Sequence, residues 1–224
     1  MRVLGVDGCK AGWIGVMFDG ESAWGQFGSS ISQLAECAGA VDVVAVDMPI
    51  GLPTVGRRKA DDLARQAIGP RRSSVFTTPV RAALESPTHA EASEINRKLV
   101  GEGVSAQAFA LRSRIFEVDD WVRTSNHRAI EIHPEVSFAL LAGGHVLSRK
   151  SSWAGAREGE RLLRDAGIRL DDTIGAAGHQ AGVDDVLDAA VAAWSAWRHL
   201  HGQAVSLPSP PEVMPDGWPA AIWT

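Results

Sequence analysis

The chain contains no tyrosine and only two cysteines, Cys9 and Cys37, among its 224 residues. Two cysteines are too few for a disulfide-rich fold, and their spacing does not match a zinc-binding motif. No run approaches the roughly 20 apolar residues that a membrane-spanning helix needs. An acidic residue, Asp7, comes too early for the apolar region of a signal peptide to be complete. These absences predict a cytoplasmic protein that does not associate with membranes.

The chain also lacks an excess of positive charge. Its 22 lysines and arginines face 27 aspartates and glutamates, which gives a formal net charge of -5. This balance excludes a generally basic protein that coats nucleic acid, although it is compatible with one local basic groove. The sequence has no internal repeat, and its length and 45% hydrophobic content suit a single domain over residues 1–224.

The first part of the chain predicts a mixed β-sheet. Apolar runs over residues 3–6 and 13–18 each end at an Asp-Gly pair, of which the second favours a tight hairpin turn, and a third strand is expected over residues 22–27. A helix over residues 31–38 leads to a buried strand over residues 41–46, and a helical crossover would make that strand parallel to the first. The pattern therefore predicts an α/β fold.

The middle of the chain, over about residues 57–125, predicts a mostly helical insertion. Thr88 and Ser105 are the expected N-caps of two of its helices. Residues 69–79 show no periodicity and predict a loop within the insertion. A strand over residues 129–133 is expected to follow it.

The strongest helical pattern in the chain runs from Val183 to about Leu200, with apolar residues at core spacing. After Leu207, five prolines predict an extended segment. This segment could cover a neighbouring molecule or an edge of the protein's own sheet.

Acidic residues stand at the ends of elements that the predicted sheet would place side by side. Asp7 closes the first strand, Asp47 closes the fourth, and Asp185 and Asp188 share one face of the last helix. Buried carboxylates that converge repel one another, and a divalent cation removes that cost because Mg²⁺ prefers carboxylate oxygens. Two such ions about 4 Å apart can hydrolyse a phosphodiester. The pattern therefore predicts a two-metal hydrolytic site.

Each of these acids also has a structural interpretation. Asp7 and Asp47 could be turn residues whose side chains accept hydrogen bonds from nearby amides. Asp185 and Asp188 could complement the macrodipole at the start of their helix. Asp184 lies one turn from Asp188 and competes with Asp185 for a place in any acidic cluster. The sequence leaves both interpretations open.

Five ordered segments of the chain carry a resemblance to a known family: residues 3–13, 44–53, 71–76, 131–135 and 184–194. They resemble the domain of unknown function 429 family, whose members are described as predicted nucleases of the ribonuclease H fold. The resemblance covers nearly the whole chain and implies a ribonuclease H-like core, with three antiparallel strands, two further strands parallel to the first, and helices on both faces. We therefore expect a five-stranded mixed sheet that carries a helical insertion.

The resemblance also implies roles for the acids. The last helix is similar to that of the RuvC-type resolvases, in which acids three residues apart meet an acid on the first strand. By this analogy Asp7 would bridge two metal ions, and Asp47 would supply the second ligand at a strand end. Asp188, together with Asp185, would complete the site, and the implied cofactor is Mg²⁺ or Mn²⁺.

Two further sets of residues are candidates for the same site. Glu131 and His133 lie on one side of their strand and could supply another ligand and a proton carrier; otherwise they are a rim residue and a side chain that bonds a loop. The second set suits a loop that grips phosphate through guanidinium and hydroxyl donors, or else a solvated charged loop. It consists of Arg71, Arg72, Ser73 and Ser74.

The leading expectation is a metal-dependent nuclease that acts on nucleic acid. An actin-like ATP-dependent phosphotransferase also begins with a strand that ends in Asp-Gly, but the chain is too short for the two domains that such an enzyme needs. A non-catalytic binding module on the same fold is the third alternative. The closely spaced acids argue mildly against that module, because a decayed site has no need to bear their repulsion.

Overall fold

The computed structural model describes residues 1–144, 148, 150, 152–170 and 172–224. Within these residues the fold is built on a seven-stranded mixed sheet with the strand order β3-β2-β1-β4-β5-β7-β6. The strands are β1 (Val3–Cys9), β2 (Gly12–Phe18), β3 (Ala23–Gly28), β4 (Val43–Val46), β5 (Ala129–Glu131), β6 (Ser206–Val213) and β7 (Pro219–Trp223).

Strand direction places several chain ends at one edge of the sheet. β1, β2 and β3 form consecutive antiparallel pairs, whereas β4 is parallel to β1, β5 to β4, and β7 to β5. β6 returns antiparallel to β7. The carboxyl ends of β1, β4 and β5 therefore lie side by side, and the residues that follow them face a common space.

The expectation of five strands is wrong, because β6 and β7 extend the sheet beyond β5. Both come from the proline-rich C-terminal segment, and that segment covers an edge of the protein's own sheet through the pairing of β7 with β5. β6 is the outermost strand, and an edge strand tolerates prolines because one of its sides needs no amide donors. The α/β class, the mixed sheet and helices on both faces are confirmed.

Helices fill the intervals between the strands. They are α1 (Ile31–Ala38), α2 (Lys59–Ile68), α3 (Arg81–Leu84), α4 (His89–Val100), α5 (Ala106–Ala110), α6 (Arg112–Thr124), α7 (Pro134–Leu141), α8 (Trp153–Asp165) and α9 (Val183–Leu200). Helices α2 to α6 all lie between β4 and β5. The Thr88 and Ser105 hydroxyls accept hydrogen bonds from Glu91 N and Ala108 N, which confirms both expected N-caps. Part of the loop expected over residues 69–79 is a 3-10 helix, Gly69–Ser74.

Alternate residues of the strands pack against different helices. On one face, Val3 and Val16 join a core that includes α8 and α9. On the other face, Leu4 and Val6 pack with side chains of α1 and α6. Among the described residues no helix is both long and apolar enough to cross a membrane.

Helix α9 lies directly against β1 because Gly5 has no side chain. A Cβ atom at Gly5 would stand 2.0 Å from Ala193 N and 2.1 Å from Ala189 O, closer than any side chain can approach. Buried alanines along α9 permit the same close contact. Asp188 directly precedes Ala189, so this packing brings an acidic residue of the helix next to the end of β1.

Candidate functional site

The register of two neighbouring strands determines where two of the acids lie. Val6 of β1 pairs with Val46 of β4, and each is followed directly by an aspartate. Asp7 is buried and its Oδ1 accepts a hydrogen bond of 2.7 Å from Gly8 N, so the local contact of a turn residue is present as well. Asp47 is half-buried, and its backbone N–H donates to Val6 O at 3.1 Å. The two carboxylates are therefore neighbours at the sheet edge.

Helices α7 and α9 bring two further acids to this edge. Asp188 of α9 is 4% exposed, and Glu135 lies in the first turn of α7. A buried hydrogen bond of 2.8 Å between the hydroxyls of Ser137 and Ser195 joins the two helices and fixes their relative position. We call Asp7, Asp47, Glu135 and Asp188 the acid cluster.

Lys150 supplies positive charge to the acid cluster. Its ammonium donates a hydrogen bond to Asp188 Oδ2 and lies 3.5 Å from Glu135 Oε1. Burial alone would lower the pKa of Lys150, but Asp188 and Glu135 outweigh burial and raise that pKa well above its ordinary value. The lysine is therefore a permanent cation against a larger number of carboxylates.

Burial and mutual repulsion make the aspartates of the cluster hard to ionise. Burial, followed by the charge of Asp188, raises the pKa of Asp7 well above its ordinary value. Burial together with Asp7 and Asp188 does the same for Asp47. Burial raises the pKa of Asp188 to about 7, and Lys150 opposes this change. Because these groups interact, their protons belong to the cluster as a whole.

The donor set of the cluster suits a hard divalent cation, but the side chains as they lie do not enclose one. In the part of the chain that the structure describes, no group of three or more His, Cys, Asp or Glu side chains is arranged to hold a metal ion. The Lys150 ammonium provides the local positive charge instead. Asp188 Oδ1, however, is buried and accepts no hydrogen bond from any described residue. Carboxylate oxygens with an unused buried acceptor are the chemistry that Mg²⁺ and Mn²⁺ require.

Asp185 also has a structural role at the start of α9. Its Oδ2 accepts a hydrogen bond of 3.0 Å from Gly182 N, which is the contact of a capping acid. Burial raises the pKa of Asp185, and its charge in turn raises the pKa of Asp7. Asp184 acts on Asp188 in the same direction. Both residues thus lie close enough to influence the cluster, and the metal-ligand role of Asp185 stays a prediction.

Glu131 is held in a buried network rather than left free for a ligand. Arg58 Nη2 donates to Glu131 Oε2 at 2.6 Å, and Ile50 N donates to the same oxygen at 2.7 Å. Asp61 lies 3.8 Å from Arg58 Nε and accepts from Thr78 N at 2.7 Å. We call Arg58, Asp61, Thr78 and Glu131 the arginine network. It anchors the loop after Asp47 through Ile50.

In the arginine network, neighbouring charges and burial shift the pKa values of the buried groups in opposite directions. Burial alone would lower the pKa of Arg58, whereas Glu131 and Asp61 outweigh it and raise that pKa. Burial raises the pKa of Glu131 to about 7, and Arg58 limits the rise. The pairing with Arg58 is what makes ionised Glu131 tolerable in this position.

A cavity of about 320 Å³ connects these groups. Asp47, Glu131, His133, Glu135 and Lys150 all contribute to its wall, so Glu131 and His133 face the same space as two members of the acid cluster, Asp47 and Glu135. We call it the acid cavity. Its dimensions and polar lining suit part of a polar ligand.

His133 stands in this wall as a neutral imidazole. Its Nδ1 lies 3.4 Å from Glu135 Oε2. Burial lowers the pKa of His133, and the neighbouring Glu135 only partly reverses that change. A neutral imidazole at neutral pH is able to take up a proton, as the expected role requires.

The four residues of the expected phosphate-binding loop do not act together. The 3-10 helix over Gly69–Ser74 turns their side chains towards different spaces. Arg71 donates a hydrogen bond to Ser148 O, and Ser74 contributes to the acid cavity. Arg72 and Ser73 line a separate cavity. Their role in phosphate binding stays a prediction.

The candidate site residues predicted from the sequence do not include three charged residues of this region. Glu135 had a usable signal, because it opens a helix directly after a strand that ends at the same sheet edge. Lys150 and Arg58 had none, because their partners Asp188 and Glu131 are 38 and 73 residues away in the chain. An isolated lysine or arginine is usually a surface residue.

Fold and site together define an α/β protein with a carboxylate cluster at the carboxyl ends of parallel strands. Residues 5–213 match the profile of a family described as "Protein of unknown function (DUF429)". The chain therefore belongs to the DUF429 family, which confirms the expected family membership. Comparison with curated proteins gave no match, and comparison with solved structures gave none.

Proposed function

We propose that the protein is a divalent-metal-dependent nuclease with a ribonuclease H-like fold. The observation that carries the proposal is the gathering of buried carboxylates from three separate elements. Besides burial, Asp188 of α9 raises the pKa of Asp7 of β1, both of them raise the pKa of Asp47 after β4, and Glu135 raises the pKa of Asp188. Such repulsion costs stability unless a cation offsets it, and one oxygen of Asp188 has no partner among the described residues.

The strand arrangement supports the fold part of this proposal. Strands β3, β2, β1, β4 and β5 are neighbours in that order, with the first three antiparallel and β4 and β5 parallel to β1. This order supports the ribonuclease H-like core that the family resemblance implied. Strands β6 and β7 are then additions at one edge, and α2 to α6 are an insertion between the fourth and fifth strands.

The proposed chemistry divides between the cation and the protein. Bound Mg²⁺ or Mn²⁺ would supply a Lewis acid that activates water and stabilises the leaving oxygen of a phosphodiester. Asp7, Asp47 and Asp188 would hold the cation, while Glu135 keeps Lys150 and His133 close to it. Neutral His133 would take up a proton in the acid cavity, and the arginine network would hold the Asp47 loop in place.

The test is cleavage of single-stranded and duplex DNA and RNA by purified protein. We expect cleavage that requires Mg²⁺ or Mn²⁺ and that falls at least about 100-fold in Asp7→Asn and Asp47→Asn, because loss of an outer-shell partner alone costs up to that factor. Asp120→Asn is the matched control, since Asp120 is exposed on α6 and outside the acid cavity. Circular dichroism of each variant checks that the fold is retained. Cleavage that persists in both cluster variants would contradict the proposal.

The pairing of Lys150 with Asp188 and Glu135 favours one alternative, a non-catalytic binding module. In that case Lys150 is the permanent counter-ion of the acids and no metal enters. The module is the better account if the wild-type protein cleaves none of the four nucleic acids with either cation.

A further inference from the structure

A second cavity, of about 480 Å³, lies beside the acid cavity and has the opposite charge. Its charged lining residues are Arg57, Arg65 and Arg72 against Glu102 alone. We call it the basic cavity. By contrast, the acid cavity is lined by four carboxylates and one lysine, with His133 neutral. The chain as a whole is acidic, so this concentration of arginine is local.

Two of the three arginines have partners within the protein, and both also lie within 3.5 Å of Asp62 Oδ1. Arg65 Nε donates to Val75 O at 3.0 Å, and its Nη2 donates to Thr77 Oγ1 at 2.7 Å. Arg57 Nη2 donates to Glu102 Oε2 at 2.6 Å. Held guanidinium groups lose little freedom when they bind an anion, which favours binding.

Arg72 is the third arginine and the one available to a ligand. It is exposed, and within the described ranges its side chain makes no hydrogen bond or ion pair, although its backbone oxygen accepts a hydrogen bond from Val75 N. Ser73 stands next to it in the same cavity wall and adds a hydroxyl donor. A free guanidinium beside a hydroxyl is suited to a phosphate group.

The two cavities share part of their walls. Val75, Phe76 and Gln107 line both of them, so the two cavities are adjacent. Phe76 is a half-buried aromatic residue between them, and it also packs against two hydrophobic core clusters. A positively charged groove with an aromatic side chain beside it is typical of sites that bind single-stranded nucleic acid.

We infer that the basic cavity binds a phosphate adjacent to the cleaved one, and that the substrate is therefore a single-stranded nucleic acid. This inference rests on the proposed function for the nature of the ligand. A cavity of about 480 Å³ has room for one unit of a single strand, whereas a duplex, whose major groove alone is about 12 Å wide, would lie across its opening. A mononucleotide carries no second phosphodiester to fill the basic cavity.

The test measures binding without cleavage. Fluorescence anisotropy of a short labelled oligothymidylate is followed in EDTA at several salt concentrations, with the full-length chain and with Arg72→Gln. We expect binding about tenfold weaker in Arg72→Gln, because a charge-assisted contact is lost, and a salt dependence smaller by about 0.7 in the logarithmic slope. Arg169→Gln is the matched control, since Arg169 is exposed and lines neither cavity. It removes the same charge and should leave binding unchanged.

Three outcomes would overturn the inference. They are equal affinity of Arg72→Gln and the wild type, equal affinity for a duplex of the same length, and equally strong competition by thymidine monophosphate. The proposed function fails separately. If Arg72→Gln loses binding but the wild type shows no metal-dependent cleavage, the basic cavity binds nucleic acid and the nuclease proposal is rejected. If the wild type cleaves but Arg72→Gln binds as well as the wild type, the nuclease proposal stands and the role of the basic cavity is rejected.

Discussion

Two groups of buried charges each contribute residues to the wall of the acid cavity, and they differ in how many cations balance their carboxylates. The arginine network sets one guanidinium against Glu131 and Asp61, which also accept hydrogen bonds from Ile50 N and Thr78 N, while Arg58 Nε has no hydrogen-bond partner among the described residues. The acid cluster sets four carboxylates against the single ammonium of Lys150. The arginine network therefore has one cation for two carboxylates, whereas the acid cluster has one cation for four.

The difference separates a structural role from a functional one. A buried ion pair with close hydrogen bonds, such as that of Arg58 with Glu131, holds its segments in place, and breaking it leaves an uncompensated charge. A cluster with one cation for four carboxylates, in which Asp188 Oδ1 has no hydrogen-bond partner among the described residues, gains nothing for the fold. Its persistence fits a partner from outside the chain, which we propose to be a divalent cation.

The largest effect on stability is expected from Arg58→Met. This change leaves both Glu131 and Asp61 buried without their cation and should lower the free energy of unfolding by about 3–5 kcal/mol. The measurement is urea denaturation at neutral pH. Arg57→Met is the matched control at the next position, because Arg57 is exposed and its ion pairs should be worth no more than about 1 kcal/mol. Similar losses in the two variants would remove the distinction between the network and ordinary surface pairs.

Asp47→Asn is expected to raise the free energy of unfolding in the absence of metal, by less than Arg58→Met lowers it. Burial, Asp7 and Asp188 raise the pKa of Asp47 in the folded protein above the value of about 3.9 in the unfolded chain. Above about pH 4 the folded state therefore binds more protons than the unfolded state. The wild type accordingly loses stability as the pH rises from about 4 to the raised pKa of Asp47 in the folded protein. The asparagine variant does not ionise, so this loss is absent from it.

The comparison of the two proteins across pH checks this expectation. At pH 4 their free energies of unfolding in EDTA should be similar, and at pH 8 Asp47→Asn should be the more stable of the two. The control is Asp120→Asn, because Asp120 is exposed and lies outside the acid cavity. If Asp47→Asn is instead less stable at pH 8, the Asp47 carboxylate is satisfied within the protein and the cluster does not repel itself.

The sequence predicted the parts of the fold that local patterns determine. The strands of the N-terminal hairpins, the caps at Thr88 and Ser105 and the long helix α9 each follow from spacing and composition within a short window. The C-terminal strands β6 and β7 were missed because prolines argue against a strand. Only the tertiary pairing with β5 makes that segment part of the sheet.

The candidate site was predictable in its acids and not in their partners. Strand ends and the helix face pointed to Asp7, Asp47 and Asp188, since parallel strands end at one edge. The same reasoning placed Glu131 among the catalytic candidates, whereas its partner Arg58 is 73 residues away and no local pattern reveals the pair. Lys150 is likewise distant from Asp188 in sequence, so the charge balance of the cluster required the three-dimensional structure.

The most direct test of the central claim is isothermal titration calorimetry of Mn²⁺ into the metal-free protein. The account predicts saturable binding at millimolar concentration or below in the wild type and in Asp120→Asn, with loss of that binding in Asp188→Asn. Absence of any binding heat in the wild type, with or without a single-stranded oligonucleotide, would contradict it. Binding of unchanged affinity in Asp188→Asn would also contradict it, because the cation would then lie elsewhere.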